Sequence, residues 1–80
     1  MANSILIVED DLTFATMLKT WLSRKGFQVY TSSGVSAARS VLEENGIDLI
    51  LSDLRLPDGD GTSLLEWRKE NNNDTPIIIM

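Results

Sequence analysis

The sequence predicts an α/β fold, a parallel sheet with helices packed on it. Three observations predict it. Four short apolar runs, at 4–8, 27–31, 47–52 and 77–80, are rich in β-branched residues and have strand length. The segments between them carry apolar residues at helical spacing. The first run is continuous rather than alternating, as in a strand buried on both faces. The resulting order, βαβαβαβ, implies parallel strands joined by right-handed crossovers.

Ser4-Ile5-Leu6-Ile7-Val8 is the first strand, and Glu9-Asp10-Asp11 ends it abruptly. Phe14, Leu18, Trp21 and Leu22 then recur at i, i+4, i+7 and i+8, with Ala15 and Met17 alongside. This is one apolar stripe on a helix, and it places Trp21 toward the core or over the sheet edge. Asp10 or Asp11 caps the start of that helix, and Asp11 reads as a helix-start residue rather than a ligand. Lys19, Arg24 and Lys25 sit in the second half, where cations suit the dipole, and Gly26 follows as the C′ glycine.

The second strand covers Phe27 to Thr31. Ser33 is the expected N-cap of a helix from Val35 to Glu44, with Ala38, Val41 and Leu42 inward and Asn45-Gly46 as the stop. Ile47 to Ser52 is the third strand. A second apolar stub, Leu54 to Leu56, stops at Pro57, and the chain runs through a loop to Gly61 in which Asp58 and Asp60 are loop and cap residues. A third helix is expected from Thr62 to Asn71, with Leu64, Leu65 and Arg68 at helical spacing and Trp67 off the stripe. The polar run 71–76 leads to a fourth strand, Ile77 to Met80. There is no internal repeat, low-complexity tract or linker, so residues 1–80 read as one unit.

Composition narrows the chemistry. Cysteine is absent, which excludes disulfides and cysteine-bound zinc. Histidine is absent too, which removes the commonest general base and the commonest neutral metal ligand. Any metal must be held by oxygen, which selects hard ions such as Mg²⁺, Ca²⁺ or Mn²⁺. The net charge of −5 disfavours direct contact with nucleic acid. No apolar run approaches the ~20 residues of a membrane span, and 1–8 lacks the basic start of a signal peptide. The expected location is the cytoplasm.

Two acidic groups follow two buried strands: Glu9 and Asp10 after the first, Asp53 after the third. Parallel strands end on the same edge of a sheet. If the first and third strands are neighbours, the three carboxylates converge, and their repulsion calls for a cation. Mg²⁺ meets that need with few carboxylates and leaves coordination positions open for phosphate oxygens. Asp53, at a strand end beside a loop, is the expected reactive group.

The sequence resembles the receiver domain of two-component response regulators, the CheY-like family. The resemblance is carried by Ile5 to Asp11, by Asp48 to Pro57 with Asp60-Gly61, and by Pro76 to Met80. It implies a flavodoxin-like (CheY-like) parallel sheet with flanking helices and strand order 2-1-3-4. It also implies that the fifth strand and last two helices are absent, so that the chain is the N-terminal two-thirds of the domain. Asp53 would accept a phosphoryl group from a phosphohistidine on a sensor histidine kinase. Asp10 and Asp53 would ligate Mg²⁺ directly, Glu9 mainly through water, and the backbone carbonyl of Arg55 would be a further ligand. Pro57 and Gly61 would shape the loop that turns this carbonyl inward. The effector domain of the parent chain would act in transcription, with DNA binding the base-rate output.

The family's Thr or Ser after the fourth strand and its Lys after the fifth have no counterpart before Met80. A fragment of a longer regulator is therefore expected, with slow or absent phosphorylation. Its open fourth strand should favour self-association. Two other functions compete. A Mg²⁺-dependent phosphohydrolase of the haloacid dehalogenase type wants a second Asp two residues after the nucleophile, where this chain has Arg55. An interaction module that works without phosphorylation would have no need of Glu9, Asp10 and Asp53 together.

Overall fold

A computed structural model describes residues 3–53 and 55–80, with Asp60 and Gly61 described by their backbone alone. The elements are β1 (Ser4–Val8), α1 (Leu12–Arg24), β2 (Gln28–Ser32), α2 (Val35–Glu44), β3 (Leu49–Ser52), β4 (Arg55–Leu56), β5 (Gly59–Asp60), α3 (Gly61–Glu70) and β6 (Ile77–Ile79). The main sheet is parallel, in the order β2-β1-β3-β6. This is the expected 2-1-3-4 order, with β6 as the fourth strand of the sheet.

β1 lies between β2 and β3, and all five of its residues are buried. Alternate side chains serve opposite faces, as the two-residue period of a strand requires. Leu6 and Val8 join Ile50, Val35, Ala38, Leu42 and Leu64 in a core under α2 and α3. Ile5 and Ile7 meet Ala15 and Leu22 of α1 on the other face. Complete burial of a side chain such as Leu64 is worth about 1.5–3 kcal/mol.

Several expectations shift. On α1 the buried line is Ala15, Leu18 and Leu22, with Leu18 only partly covered. Phe14 and Trp21 are not core residues: they are 41% and 57% exposed. Each precedes a buried residue by one position, and one position turns a helix by about 100°. Trp21 instead lies beneath the Lys25 ammonium, 5.4 Å from the ring centroid. Gly26 does end the helix in the left-handed region, at φ +95°. The Phe27 N–H donates to Leu22 O, so the backbone there still closes α1 and β2 starts one residue late.

β3 begins at Leu49 rather than Ile47. The third helix starts at Gly61 and stops at Glu70; it buries Leu64, leaves Leu65 exposed, and packs Trp67 against the core. Arg68 donates from Nη1 to Thr75 O at 2.6 Å. The largest departure is at the expected loop, where β4 and β5 form a small antiparallel hairpin. Leu54, the start of the expected apolar stub, and the cap role expected of Asp60 lie outside the described residues.

Candidate functional site

The β1–β3 ladder places the acidic residues. Val8 pairs with Ser52 at the carboxyl ends of the two strands. The ladder continues one step, because Asp53 N–H donates to Val8 O at 2.9 Å. On the other side, Glu9 N–H donates to Ser32 O of β2 at 2.9 Å. Glu9 and Asp53 thus leave adjacent strands at the same edge, where the chain order reverses across β1 and open α/β sheets bind ligands.

Oxygen atoms of Glu9, Asp10 and Asp53, one from each carboxylate, lie within 4.8 Å of one another. Glu9 is buried, Asp53 half-buried and Asp10 exposed. Burial pushes the Glu9 carboxyl above its ordinary value of 4.5; the Asp11 N–H opposes this, and the charges of Asp53 and Asp10 push the same way. The Asp11 N–H donates to Glu9 Oε1 at 3.1 Å. Asp11 is the helix cap expected of it, with its Oδ1 accepting from Phe14 N–H at 3.1 Å. The donor set is oxygen alone, and it crowds negative charge around one point. Both features suit a hard divalent cation.

Among the described residues, the Asp53 side chain has one further hydrogen-bond contact. Its Oδ1 lies 3.5 Å from the Arg55 N–H, at the outer limit of a hydrogen bond. Ser52 below it is fully buried, and its hydroxyl donates to Asp53 O at 2.9 Å. The Arg55 side chain is exposed. A cleft of about 480 Å³ between α1 and the ends of β2 and α2 shares only Glu9 with the acidic cluster.

A residue that the sequence placed only as a loop or cap residue proves well defined. Asp58, in the β4–β5 turn, accepts at Oδ1 from Val35 N–H at 2.7 Å and at Oδ2 from Ser36 N–H at 2.9 Å. It caps α2 from outside that helix. The expected cap, Ser33, does not serve: the N-cap is Gly34, which has no side chain to offer. The N–H groups of Ser36 and Val35 hold the Asp58 carboxyl below its ordinary value of 3.8. A glycine before a helix with no local cap was the sequence signal for an outside acceptor. Asp48, whose Oδ2 accepts from Ser4 N–H at 2.7 Å, left no such signal.

Comparison with known proteins adds four findings. The family model of the response regulator receiver domain matches residues 5–80. The transcriptional regulatory protein GltR of Pseudomonas aeruginosa is 40% identical over 80 residues, covering 98% of this chain and 33% of that protein. The chain therefore spans about a third of the length of this curated relative. The MaeR response regulator, solved bound to beryllium trifluoride, superposes with a TM-score of 0.88 at 31% identity, covering 98% of this chain and 66% of that one. The chemotaxis response regulator CheY4 of Vibrio cholerae gives a TM-score of 0.93 at 22% identity, over 99% of this chain and 68% of that one. This last likeness bears on the fold, which is the CheY-like, flavodoxin-like one.

Proposed function

The chain belongs to the response regulator receiver domain family, and from that premise we propose that Asp53 is its phosphoacceptor, with Mg²⁺ held by Glu9, Asp10, Asp53 and the Arg55 backbone carbonyl. Receiver domains are signalling modules, and this one acts as an acceptor rather than as an enzyme. The observation that carries the reading is the convergence of the Glu9, Asp10 and Asp53 oxygens within 4.8 Å.

The roles follow from the surroundings of each group. Asp53 is half-buried, and its contact among the described residues is one long backbone hydrogen bond, so its carboxylate keeps a lone pair for attack. An Asp53 oxygen forms a bond to phosphorus as the phosphorus–nitrogen bond of a phosphohistidine breaks, and the imidazole of the donor kinase leaves with that electron pair. Glu9, buried beside Asp53, supplies charge that does not drift with solvent. Asp10, exposed at the mouth, completes the set. When bound, Mg²⁺ offsets the charge of the incoming phosphoryl group.

The partners follow from the same reading: a sensor histidine kinase as donor, and an effector in the longer protein, with transcriptional control as the output. The acceptor works in the cytoplasm; among the described residues no helix is long and apolar enough to cross a membrane. β6 pairs with β3 on one side, and Ile78 is 52% exposed. The 80-residue chain by itself therefore self-associates along this edge, and sedimentation that finds a monodisperse monomer overturns that point.

The test uses the full-length protein with Mg²⁺ and acetyl phosphate as a small phosphodonor. One hydroxylamine-labile phosphate per chain is expected, absent in Asp53→Asn. Rapid multiple turnover of a phosphomonoester would favour a phosphohydrolase. No adduct, with partner binding intact, would favour an interaction module.

A further inference from the structure

We propose that Asp58 is a positioning residue for the acidic site. Its carboxylate ties the β4–β5 hairpin to the start of α2, and thereby fixes the backbone at Arg55 relative to Asp53. This rests on the Asp53 reading above and assigns a role to a residue outside the acidic cluster.

The hairpin follows Asp53 almost directly, and Arg55 is its first residue. So short a segment has few ways to hold its own shape. Two anchors hold it instead. Leu56 is 9% exposed and enters the core beside Val35 and Leu64. Asp58 supplies the polar anchor, with each carboxylate oxygen on a different N–H of α2, at 2.7 and 2.9 Å. Charge-assisted, two-point contacts fix direction as well as distance.

The surroundings fit this attachment. A Cβ on Gly34 would stand 2.6 Å from Asp58 Oδ1, so the carboxylate occupies the space a side chain would need. The Gly34 backbone is extended, at φ −169°, a conformation open to any residue, so space alone favours glycine there. Gly59 is different: at φ +154° it lies where side chains are strained, and a Cβ would come 3.1 Å from Ser63 Oγ and 3.3 Å from Val35 Cγ2. The hairpin turn is therefore wedged between the starts of α2 and α3. Through it, α2 holds the Arg55 backbone, whose N–H is 3.5 Å from Asp53 Oδ1.

A plain helix cap would make the same two hydrogen bonds, so the test must separate capping from tethering. In the full-length protein, Asp58→Ala removes both. The double variant Gly34→Ser/Asp58→Ala restores a local N-cap without the tether. Asp58→Asn keeps an acceptor for one of the two N–H groups. Asp48→Ala perturbs the opposite edge of the sheet, at Ser4 N–H.

Two readouts are followed at a temperature where every variant is folded: Mg²⁺ affinity by calorimetry, and the rate of labelling by acetyl phosphate. Asp58→Ala should lose roughly tenfold in both, the scale of a small misplacement near a reacting group. The double variant should regain thermal stability yet stay impaired in both. Asp58→Asn should recover part of the loss, and Asp48→Ala should match wild type in both.

Full recovery of Mg²⁺ affinity and labelling in the double variant would reduce Asp58 to a cap and overturn the proposal. So would equal losses in Asp48→Ala, or wild-type values in Asp58→Ala. Wild-type protein that takes no phosphoryl group, with or without these substitutions, instead sinks the Asp53 reading and the tether with it.

Discussion

Two acidic places five positions apart in the chain, Asp53 with its neighbours and Asp58, hold their charge in opposite ways. Asp58 is exposed, yet both its oxygens are engaged by backbone N–H groups at the start of a helix. Its negative charge is met by the fold. Around Asp53, three carboxylates crowd together, and Glu9 is pushed toward the protonated form by burial first and by its acidic neighbours after that. There the charge is gathered and left for something outside the chain. Asp58 has both oxygens met by backbone donors, whereas in the acidic site the Asp11 N–H on Glu9 and the long Arg55 N–H contact on Asp53 leave most of the gathered charge unmet among the described residues.

The most severe way to probe the contrast is to remove one charge from each place. Asp53→Asn should abolish labelling, a loss of at least roughly a hundredfold, whereas Asp58→Asn should leave most of it. Equal losses from the two would erase the distinction. Next in size is the effect of the cation on stability. Mg²⁺ at about a hundred times its dissociation constant should add about 2.7 kcal/mol to the unfolding free energy. A chelator should reverse this in a thermal melt. Asp53→Asn should lose most of that gain, and Asp58→Asn should keep the larger part of it.

The smallest effect is the pH dependence, which should run in opposite directions for the two places. The Glu9 carboxyl is raised above 4.5 in the folded protein. Its contribution to metal-free stability is present at low pH and lost as pH rises through the folded value. Mg²⁺ affinity should climb over the same range, because binding displaces the proton. The Asp58 carboxyl is lowered below 3.8. Its contribution is present above 3.8 and lost as pH falls through the folded value. Glu9→Gln should remove the first slope and Asp58→Asn the second, as read by denaturant melts from pH 3 to 7.

Most of the fold was legible because strand and helix periods differ. Continuous runs such as Ile5 to Val8 allow few readings, and the bounds of α2 came out as expected. The convergence of Glu9, Asp10 and Asp53 needed only one further fact, that β1 neighbours β3. What was not legible depended on the third dimension. Trp21 and Phe14 share helical spacing with Leu22 and Leu18, and only the sheet decides which side of α1 it covers. The hairpin at 55–60 is too short for any periodic pattern. Asp58 serves a helix 22 positions earlier in the chain, beyond the reach of local capping rules.

The Asp53 N–H to Val8 O bond closes the parallel β1–β3 ladder at the acidic end, joining residues 45 positions apart. Pairing at such separation carries a large loop-closure cost and forms slowly. The final rung is also the one that brings like charges together. That repulsion predicts that the end of the ladder sets late in folding and opens early in unfolding. A cation bound there would act mainly on escape from the native state: Mg²⁺ should slow unfolding in stopped-flow experiments and leave the refolding rate nearly unchanged.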